Sequence, residues 1–259
     1  MSDTPLLQLR NITKSFGSVQ ALTDVDFEVN EGEIMALVGD NGAGKSTLIK
    51  CIAGTHSADS GQILFEGREV HIHGPKDAAN LGIEVVYQDL ALCDNLDVVQ
   101  NMYLGREVID PVHRLNESEM EKKTRETLTG LAVTTLRSVR QKVAGLSGGQ
   151  RQSVAVAKAV MWNSKLVVLD EPTAALGVAQ TAQVLALVRR LADRGLGVLL
   201  ISHNLEDVMK VADSIAVLRL GVLIAQPDKT EVNSQELVEL ITTGRSGTRF
   251  PGAAPVPRT

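Results

Sequence analysis

The stretch IMALVGDNGAGKS, residues 34–46, decides the fold of this chain. It opens with five apolar residues, Ile34–Val38, which predict a strand buried on both faces. Gly39–Ser46 then follows the pattern G-x-x-x-x-G-K-[ST], and an amphipathic helix pattern comes directly after it. A strand, a glycine-rich loop and a helix in this order form the unit that cradles the phosphates of a nucleotide.

The chemistry of the cradle gives its residues their predicted roles. Glycine lets main-chain N–H groups converge on phosphate oxygens without a Cβ in the way, and the helix start adds partial positive charge. Lys45 is predicted to reach the β- and γ-phosphates, and Ser46 to ligate Mg²⁺. The predicted nucleotide-binding residues are Gly39, Asn41, Gly42, Ala43, Gly44, Lys45, Ser46 and Thr47. A glycine-rich turn without a ligand is the alternative, but the complete unit favours a nucleoside triphosphate.

Short apolar runs alternate with helical patterns along the chain, which predicts an α/β fold around a mostly parallel sheet. The buried parallel strands are predicted at Ile34–Val38, Ile83–Val86, Leu166–Leu169, Val198–Ile201 and Ser214–Leu218. A small antiparallel sheet is predicted beside them at Leu6–Leu9, Asp24–Val29 and Gln62–Phe65.

Helical spacing replaces the strand pattern between Asp89 and Trp162, around Val98–Leu104 and Glu117–Leu131. We therefore predict a helical insert between two core strands. The predicted domain covers residues 1–245, with a core at 1–89 and 162–225, a helical sub-domain at about 90–161 and a C-terminal helix at about 233–243. Residues 246–259 hold three prolines and no periodicity, which predicts a flexible tail.

Composition narrows the classes of function. The 26 basic and 31 acidic side chains give a formal net charge of −5, which argues against a nucleic-acid partner. Two cysteines, Cys51 and Cys93, form no disulfide framework and suit a reducing cytoplasm. No secretory signal opens the sequence, and its apolar runs are far shorter than the roughly 20 residues of a spanning helix. We expect a cytoplasmic protein that relies on another subunit for any path across a membrane.

A second apolar strand ends in two carboxylates, Asp170 and Glu171. The carboxyl end of a strand in an open α/β sheet faces the ligand site, so Asp170 is predicted to hold Mg²⁺. Side chains alternate along a strand, which leaves Glu171 to polarise the attacking water. Alone, this pattern is more typical of a strand that meets solvent; together with the cradle it indicates catalysis.

The segment Leu146-Ser147-Gly148-Gly149-Gln150 precedes a helical run, 151–161. Ser147 is a good N-cap, and two glycines again expose N–H groups at a helix start. An ordinary helix cap with a flexible turn is the alternative. A second anion site in a chain that already has one is explained by a symmetric pair, in which each chain closes over the nucleotide of its partner.

With the cradle upstream and the Asp-Glu strand downstream, Leu-Ser-Gly-Gly-Gln resembles the signature of the ATP-binding cassette ATPases. The resemblance covers about Leu7 to Gly244. It implies a P-loop NTPase fold, with a RecA-like parallel core, a flanking antiparallel sub-domain and an inserted helical sub-domain. It also implies head-to-tail closure around two ATP molecules bound with Mg²⁺, in which Ser147, Gly148, Gly149 and Gln150 contact the partner's nucleotide.

Three further roles rest on this resemblance. Phe16 is similar to the aromatic residue that stacks on adenine, Gln88 to the glutamine that meets Mg²⁺ and the attacking water, and His203 to the histidine that contacts the γ-phosphate. Without the family, a core phenylalanine, a glutamine after a strand and a locally bonded histidine would be the ordinary interpretations. The implied catalytic residues are Lys45, Gln88, Glu171 and His203, and the implied metal ligands are Ser46, Gln88 and Asp170. The remaining histidines are predicted at the surface or in loops: His56, His71, His73 and His113.

One departure concerns the segment after Thr173, where the family usually shows Ser-Ala-Leu-Asp and this chain has Ala-Ala-Leu-Gly. Gly177 thus replaces an aspartate that crosses to the partner chain. The variant is itself similar to monosaccharide importers. The resemblance implies self-pairing, a separate membrane permease and, indirectly, a solute-binding protein, with the chain at the inner face of the membrane. We expect the permease to contact an apolar groove edge formed by Leu90, Leu92 and Leu96.

Two other classes of function stay open. One is a cassette ATPase outside transport, although a coiled-coil insert, tandem cassettes or a basic face would be expected there. The other is a nucleotide-binding regulatory subunit with little turnover, which Gly177 makes conceivable. The sugar, the permease and the direction of transport are not fixed by the sequence.

Overall fold

The structure is a computed structural model that describes residues 4–245; the predicted tail, 246–259, lies outside the described residues. The strands are β1 (Leu7–Phe16), β2 (Val19–Val29), β3 (Ile34–Val38), β4 (Ser60–Phe65), β5 (Arg68–Val70), β6 (Ile83–Val86), β7 (Leu166–Asp170), β8 (Gly197–Ile201), β9 (Ser214–Arg219) and β10 (Val222–Ala225). The helices are α1 (Lys45–Ile52), α2 (Pro75–Leu81), α3 (Val98–Tyr103), α4 (Glu117–Gly130), α5 (Gly148–Val160), α6 (Val178–Asp193), α7 (Leu205–Val211) and α8 (Ser234–Thr243).

The larger sheet has six strands in the order β10-β9-β3-β8-β7-β6. All neighbouring pairs are parallel except β10 with β9, which forms an antiparallel edge. Every residue of β3 and β8 is buried, because helices cover one face of the sheet and the smaller sheet and α1 lie on the other. This double coverage explains why the two strands are apolar at every position except Gly197.

The smaller sheet is antiparallel, in the order β2-β1-β4-β5. Its strands β1, β2 and β4 cover the three predicted segments apart from Leu6, since β1 begins at Leu7, whereas β5 and β10 were not predicted. Both are short edge strands of three and four residues in which no side chain is fully buried. The three residues of β5 are too few to show strand alternation, and β10, although apolar throughout, is only four residues long.

The helices α3, α4 and α5 lie between β6 and β7 in the chain, where the strand pattern disappears. Asn101, which is fully buried on α3, pins the preceding loop. Its side-chain amide donates to the carbonyls of Cys93 and Asp97, and its carbonyl oxygen accepts from the Cys93 N–H at 2.7 Å. These bonds satisfy a buried polar side chain and fix the course of residues 93–97.

The parallel strands bring three chain segments to one edge of the larger sheet. β3, β7 and β8 end at neighbouring positions, and Asp170 pairs with Ile201 in register. Glu171 has a left-handed backbone, with φ of 52°, and its N–H donates to the Ile201 carbonyl at 3.0 Å. The loop after β3, the carboxylates after β7 and the histidine after β8 therefore converge. Within residues 4–245 no helix combines the length and apolar character needed to span a membrane.

Candidate functional site

The loop between β3 and α1 requires glycine at two positions because other backbone lies against it. A Cβ on Gly39 would collide with the Leu218 carbonyl oxygen, and a Cβ on Gly44 would lie 2.7 Å from the Ala21 carbonyl oxygen. Gly44 also has φ of 107°, which side-chain-bearing residues rarely adopt. Strands β9 and β2 therefore hold the loop tightly at the start of α1.

Lys45 is the first residue of α1 and folds back over the loop. Its Nζ donates to the carbonyl oxygens of Gly39, at 2.6 Å, and Asp40, at 3.0 Å. Desolvation lowers the pKa of this half-buried ammonium, while the nearby carboxylates of Glu171, Asp40 and Asp170 oppose the shift. The positive charge is thus held beside the cradle, with hydrogen-bond donors that phosphate oxygens could take over from carbonyls.

A cavity of about 350 Å³ lies over the cradle. It is lined by most of the residues predicted to act on the nucleotide: Asn41, Gly42, Ala43, Gly44, Lys45, Ser46, Thr47, Gln88, Asp170 and Glu171. Another wall is formed by residues of β2 that were not predicted from the sequence: Val19, Gln20 and Ala21. Gln20 lies four residues after Phe16, but nothing in the sequence showed that this hairpin faces the cradle.

Asp170 and Glu171 bring two carboxylates to the floor of this cavity. Burial raises the pKa of Asp170, and the neighbouring charge of Glu171 raises it further, while Lys45 and Lys50 oppose the shift. A raised carboxyl pKa means that the folded state lacks full compensation for this negative charge.

The donor set of the cavity fits Mg²⁺ bound together with a triphosphate. The described residues contain no group of three His, Cys, Asp or Glu side chains that could hold a metal by themselves. Ser46, Gln88 and Asp170 offer a hydroxyl, an amide oxygen and one carboxylate in the same cavity. Magnesium often takes one or two carboxylates and completes its shell with water and substrate phosphates, so a nucleotide would supply the missing ligands.

Replacing Asp170 with asparagine should stabilise the nucleotide-free protein at neutral pH. Because the folded-state pKa of Asp170 is raised, ionising this carboxyl is less favourable in the folded protein than in the unfolded chain. The free energy of unfolding therefore falls as pH rises above the usual carboxyl range, and the loss is complete above the folded-state pKa. We expect the melting temperature of Asp170→Asn to exceed the wild-type value at pH 7.5 by about 2 °C, and the difference to shrink as pH falls towards 4. Melting curves without nucleotide test this, and a variant that melts lower at pH 7.5 contradicts it.

His203 lies beside Glu171, a pairing that the sequence did not predict. Its Nδ1 is 2.7 Å from Glu171 Oε2, and its backbone N–H points at the same oxygen. A second cavity of about 550 Å³ opens here, lined by Gly39, Gln88, Glu171, His203 and residues of α8. Asn41, Gln88 and Glu171 line both cavities, so the two form one continuous site.

The structure does not bring Ser147–Gln150 to this site within one chain, since these residues line neither cavity. Ser147 caps α5 through a capping box with Gln150, whose side-chain N–H also donates to the Thr135 carbonyl at 2.6 Å. A Cβ on Gly148 would lie 2.9 Å from Leu176 Cδ2, and one on Gly149 would lie 3.1 Å from Gln180 Cβ. Packing against the start of α6 is therefore a second reason for the two glycines, besides phosphate contact.

Phe16 lies at the end of β1, outside the cavity lining but paired in register with Val19, which lines it. The ring is 44% exposed and meets the ring of His56 edge-on, with centroids 5.2 Å apart. His56 is half-buried by this contact, whereas the other three histidines predicted at the surface or in loops are exposed: His71, His73 and His113.

A hydrogen bond behind Glu171 was not predicted from the sequence. Thr173 Oγ1 donates to Asp207 Oδ2 at 2.9 Å, and Asp207 is only 3% exposed. This bond ties the segment after Glu171 to α7, which follows His203; no local pattern marked Asp207.

Gly177 is the N-cap of α6 without a side-chain cap, and a Cβ there would meet no atom within 4 Å. The fold would therefore admit the aspartate that is missing.

The three leucines predicted to share one groove edge are separated. Leu90 lines a groove of about 240 Å³ with Tyr87, Leu104 and Trp162. Leu96 lines a different depression, of about 210 Å³, and Leu92 packs against the core. The prediction of a single edge is wrong because the hydrogen bonds of Asn101 turn the chain between Leu92 and Leu96.

Comparisons with known proteins agree on one family. A family profile described as "ABC transporter" matches residues 22–174. The xylose/arabinose import ATP-binding protein XylG of Sulfolobus acidocaldarius is 48% identical over 94% of this chain and 95% of its own length. The fructose import ATP-binding protein FrcA of Rhizobium meliloti is 42% identical over 96% and 98%. The ribose import ATP-binding protein RbsA of Yersinia pestis is 42% identical over 93% of this chain but only 47% of its own length.

Solved structures give the same result. A nucleotide-free ATP-binding cassette from an ABC transporter superposes with a TM-score of 0.78, at 29% identity, over 88% of this chain and 94% of that one. An ABC transporter cassette in its ADP conformation has a TM-score of 0.78, at 28% identity, over 92% and 95%. These likenesses confirm the predicted fold class, an α/β P-loop NTPase with a parallel core sheet and a flanking antiparallel sheet.

Proposed function

Since this chain belongs to the ABC transporter family, we propose that it binds and hydrolyses ATP to drive import of a monosaccharide through separate membrane subunits. One observation carries the proposal. A single continuous site brings together the phosphate cradle, a carboxylate for a metal, and Glu171 in contact with His203. These are the parts that hydrolysis of a triphosphate requires.

In the proposed mechanism the γ-phosphoryl group of ATP lies between the cradle and Glu171. Lys45 exchanges its loop carbonyls for β- and γ-phosphate oxygens and stabilises charge that develops during transfer. Mg²⁺, when bound, would neutralise phosphate charge, and Ser46, Gln88 and Asp170 are the residues that would hold it. Adenine would stack near Phe16, beside the turn of the β1–β2 hairpin.

Glu171 accepts the proton of the attacking water in this proposal. It is the carboxylate that lies between the cavity over the cradle and the cavity at His203. His203 holds the carboxylate through Nδ1 and can turn towards the γ-phosphate, since its side chain is 72% exposed. Gln88 lines both cavities and would position the water from the opposite side.

Two copies of the chain are proposed to complete the site. Ser147–Gln150 line neither cavity of their own chain, so their N–H groups could reach a triphosphate only in a partner. A symmetric pair satisfies both sites at once. ATP would hold the two surfaces together, and loss of the γ-phosphate would release them.

Import of a monosaccharide is supported by relatives that serve xylose/arabinose, fructose and ribose import. The separate membrane subunit is proposed to occupy the groove lined by Leu90, Leu104 and Trp162. Tyr87 and Asp89, the neighbours of Gln88, line this groove, so its occupant would touch the segment that carries Gln88. The chain would then lie at the cytoplasmic face of the membrane, and a solute-binding protein would act on it only indirectly.

Uptake of labelled sugars in cells tests the proposal. We expect cells that carry Glu171→Gln in place of the wild-type chain to lose uptake of at least one of xylose, arabinose, fructose and ribose. Glu206→Gln is a matched control, since Glu206 lies on the exposed surface of α7. Unchanged uptake of all four sugars would contradict monosaccharide import and favour a cassette ATPase with another task.

A further inference from the structure

Helix α8 carries apolar side chains on two of its faces. Leu237 and Leu240 are fully buried in the core. Val238 and Ile241, on the adjacent face, line the 550 Å³ cavity that also contains Glu171 and His203. Val238 is 49% exposed, although a helix needs only one apolar face to dock on its own domain. The second face therefore forms an apolar wall of the site, named here the α8 wall: Val238 and Ile241.

A second unexplained apolar residue is Val178, at the start of α6. It is 91% exposed, the highest value among the large apolar side chains within residues 4–245. It directly follows Gly177, where the family usually has the aspartate that crosses to the partner. Single exposed valines are common, so exposure alone identifies no contact.

Contacts at the start of α6 tie Val178 to the signature segment. Gly149 of the signature segment lies against Gln180, and Gly148 lies against Leu176. Val178 is between these two residues, about 3 Å along the helix axis from Gln180. A signature segment that reaches the partner's γ-phosphate therefore carries Val178 with it to the partner's surface.

The cavity with the α8 wall lies next to the cavity over the cradle, with which it shares Asn41, Gln88 and Glu171. We infer that Val178 of each chain inserts against the α8 wall of its twin when ATP closes the pair. The inference rests on the proposed function, because it uses ATP-driven closure. Symmetry makes the contact occur twice, so the free energy of one modest apolar contact contributes twice to the stability of the closed pair.

This contact gives the Gly177 segment a way to hold the partner without the missing aspartate. The aspartate would act through a polar contact across the interface. Val178 would act by burial of an apolar side chain in a cavity whose α8 wall is already apolar. A second copy is favoured as the occupant over the permease, because the cavity opens beside the catalytic carboxylate rather than at the groove next to Gln88.

A charge-pair experiment tests the contact. In a Glu171→Gln background with Mg-ATP, sedimentation measures the dissociation constant of the dimer. We expect Val178→Glu or Val238→Lys alone to raise it by roughly tenfold, and the two together to return it to within about threefold of the parent, because Glu and Lys then face each other across the interface. Gln235→Lys combined with Val178→Glu should not restore it, since Gln235 lies on α8 outside the cavity lining.

The outcomes separate the contact from the proposed function. A parent Glu171→Gln protein that stays monomeric with Mg-ATP contradicts the proposed closure itself. A parent that dimerises while the variants bind equally well, or whose double variant is as weak as the product of the singles, overturns the contact alone. Circular dichroism melting checks the fold. If a charged variant does not fold, Val178→Ser and Val238→Ser and their combination provide the same cycle, and additive losses overturn the contact.

Discussion

Replacing Glu171 with glutamine should lower the steady-state rate of ATP hydrolysis by about a hundredfold to ten-thousandfold, the usual contribution of a general base. Glutamine keeps the size of the side chain and can still contact His203, but it cannot accept a proton from water. Binding of ATP should persist, because the cradle and Lys45 are unchanged. The ATP-bound dimer should therefore accumulate in this variant.

Release of inorganic phosphate from purified protein measures this rate, and sedimentation with Mg-ATP measures the dimer. Glu206→Gln serves again as the matched control and should keep the wild-type rate. A Glu171→Gln protein that hydrolyses ATP within about twofold of wild type would remove Glu171 from the chemistry. A low-turnover regulatory subunit would instead show little hydrolysis in the wild-type protein.

Replacing Lys45 with alanine should weaken ATP binding by roughly ten- to a hundredfold, the loss expected for charged hydrogen bonds to phosphate. The change removes the ammonium that donates to the loop, and it leaves Asp170 and Glu171 with less compensation of their charge. Triphosphate binding and closure of the pair should both suffer, so hydrolysis should fall further than affinity.

Titration with a fluorescent ATP analogue measures the affinity. Lys76→Ala, at an exposed position on α2, is the matched control and should bind as wild type does. Equal affinity of the Lys45→Ala and wild-type proteins would mean that the glycine-rich loop does not hold the triphosphate as proposed.

The core of the fold was predictable because its signals are local. Four of the five predicted parallel strands are buried along the predicted segment, as in the apolar run Ile34–Val38, and only the edge strand β6 is half-buried in part. The N-cap of α5 and the start of α1 follow from Ser147 and from the cradle pattern. The edge strands β5 and β10 were missed because they are only three and four residues long, although each forms a hairpin with the strand just before it, β4 and β9.

The family resemblance, drawn from three motifs, is confirmed by the comparisons. No motif, however, specifies which side chains of the site contact each other. Glu171 and His203 are 32 residues apart and meet only because β7 and β8 are neighbours. The bond between Thr173 and Asp207 has the same origin. The prediction that the three leucines after Gln88 share one groove edge was wrong because hydrogen bonds of buried Asn101 bend the loop between them.

The most direct measurement of the central claim, a site shared between two chains, is hydrolysis by a mixture of two inactive variants. Lys45→Ala disables the cradle. Ser147→Asp disables the signature segment, since it keeps a residue able to cap α5 and adds a negative charge where the partner's phosphates would lie. In a mixed dimer one site carries both changes and the other carries neither.

Each variant alone should be nearly inactive, and an equal mixture should recover about a quarter of the wild-type rate, since half of the dimers are mixed and each has one intact site. Recovery at that level is the result that a shared site predicts. No recovery on mixing, from variants that are folded and that dimerise, would place the whole site within one chain and contradict a site shared between two chains.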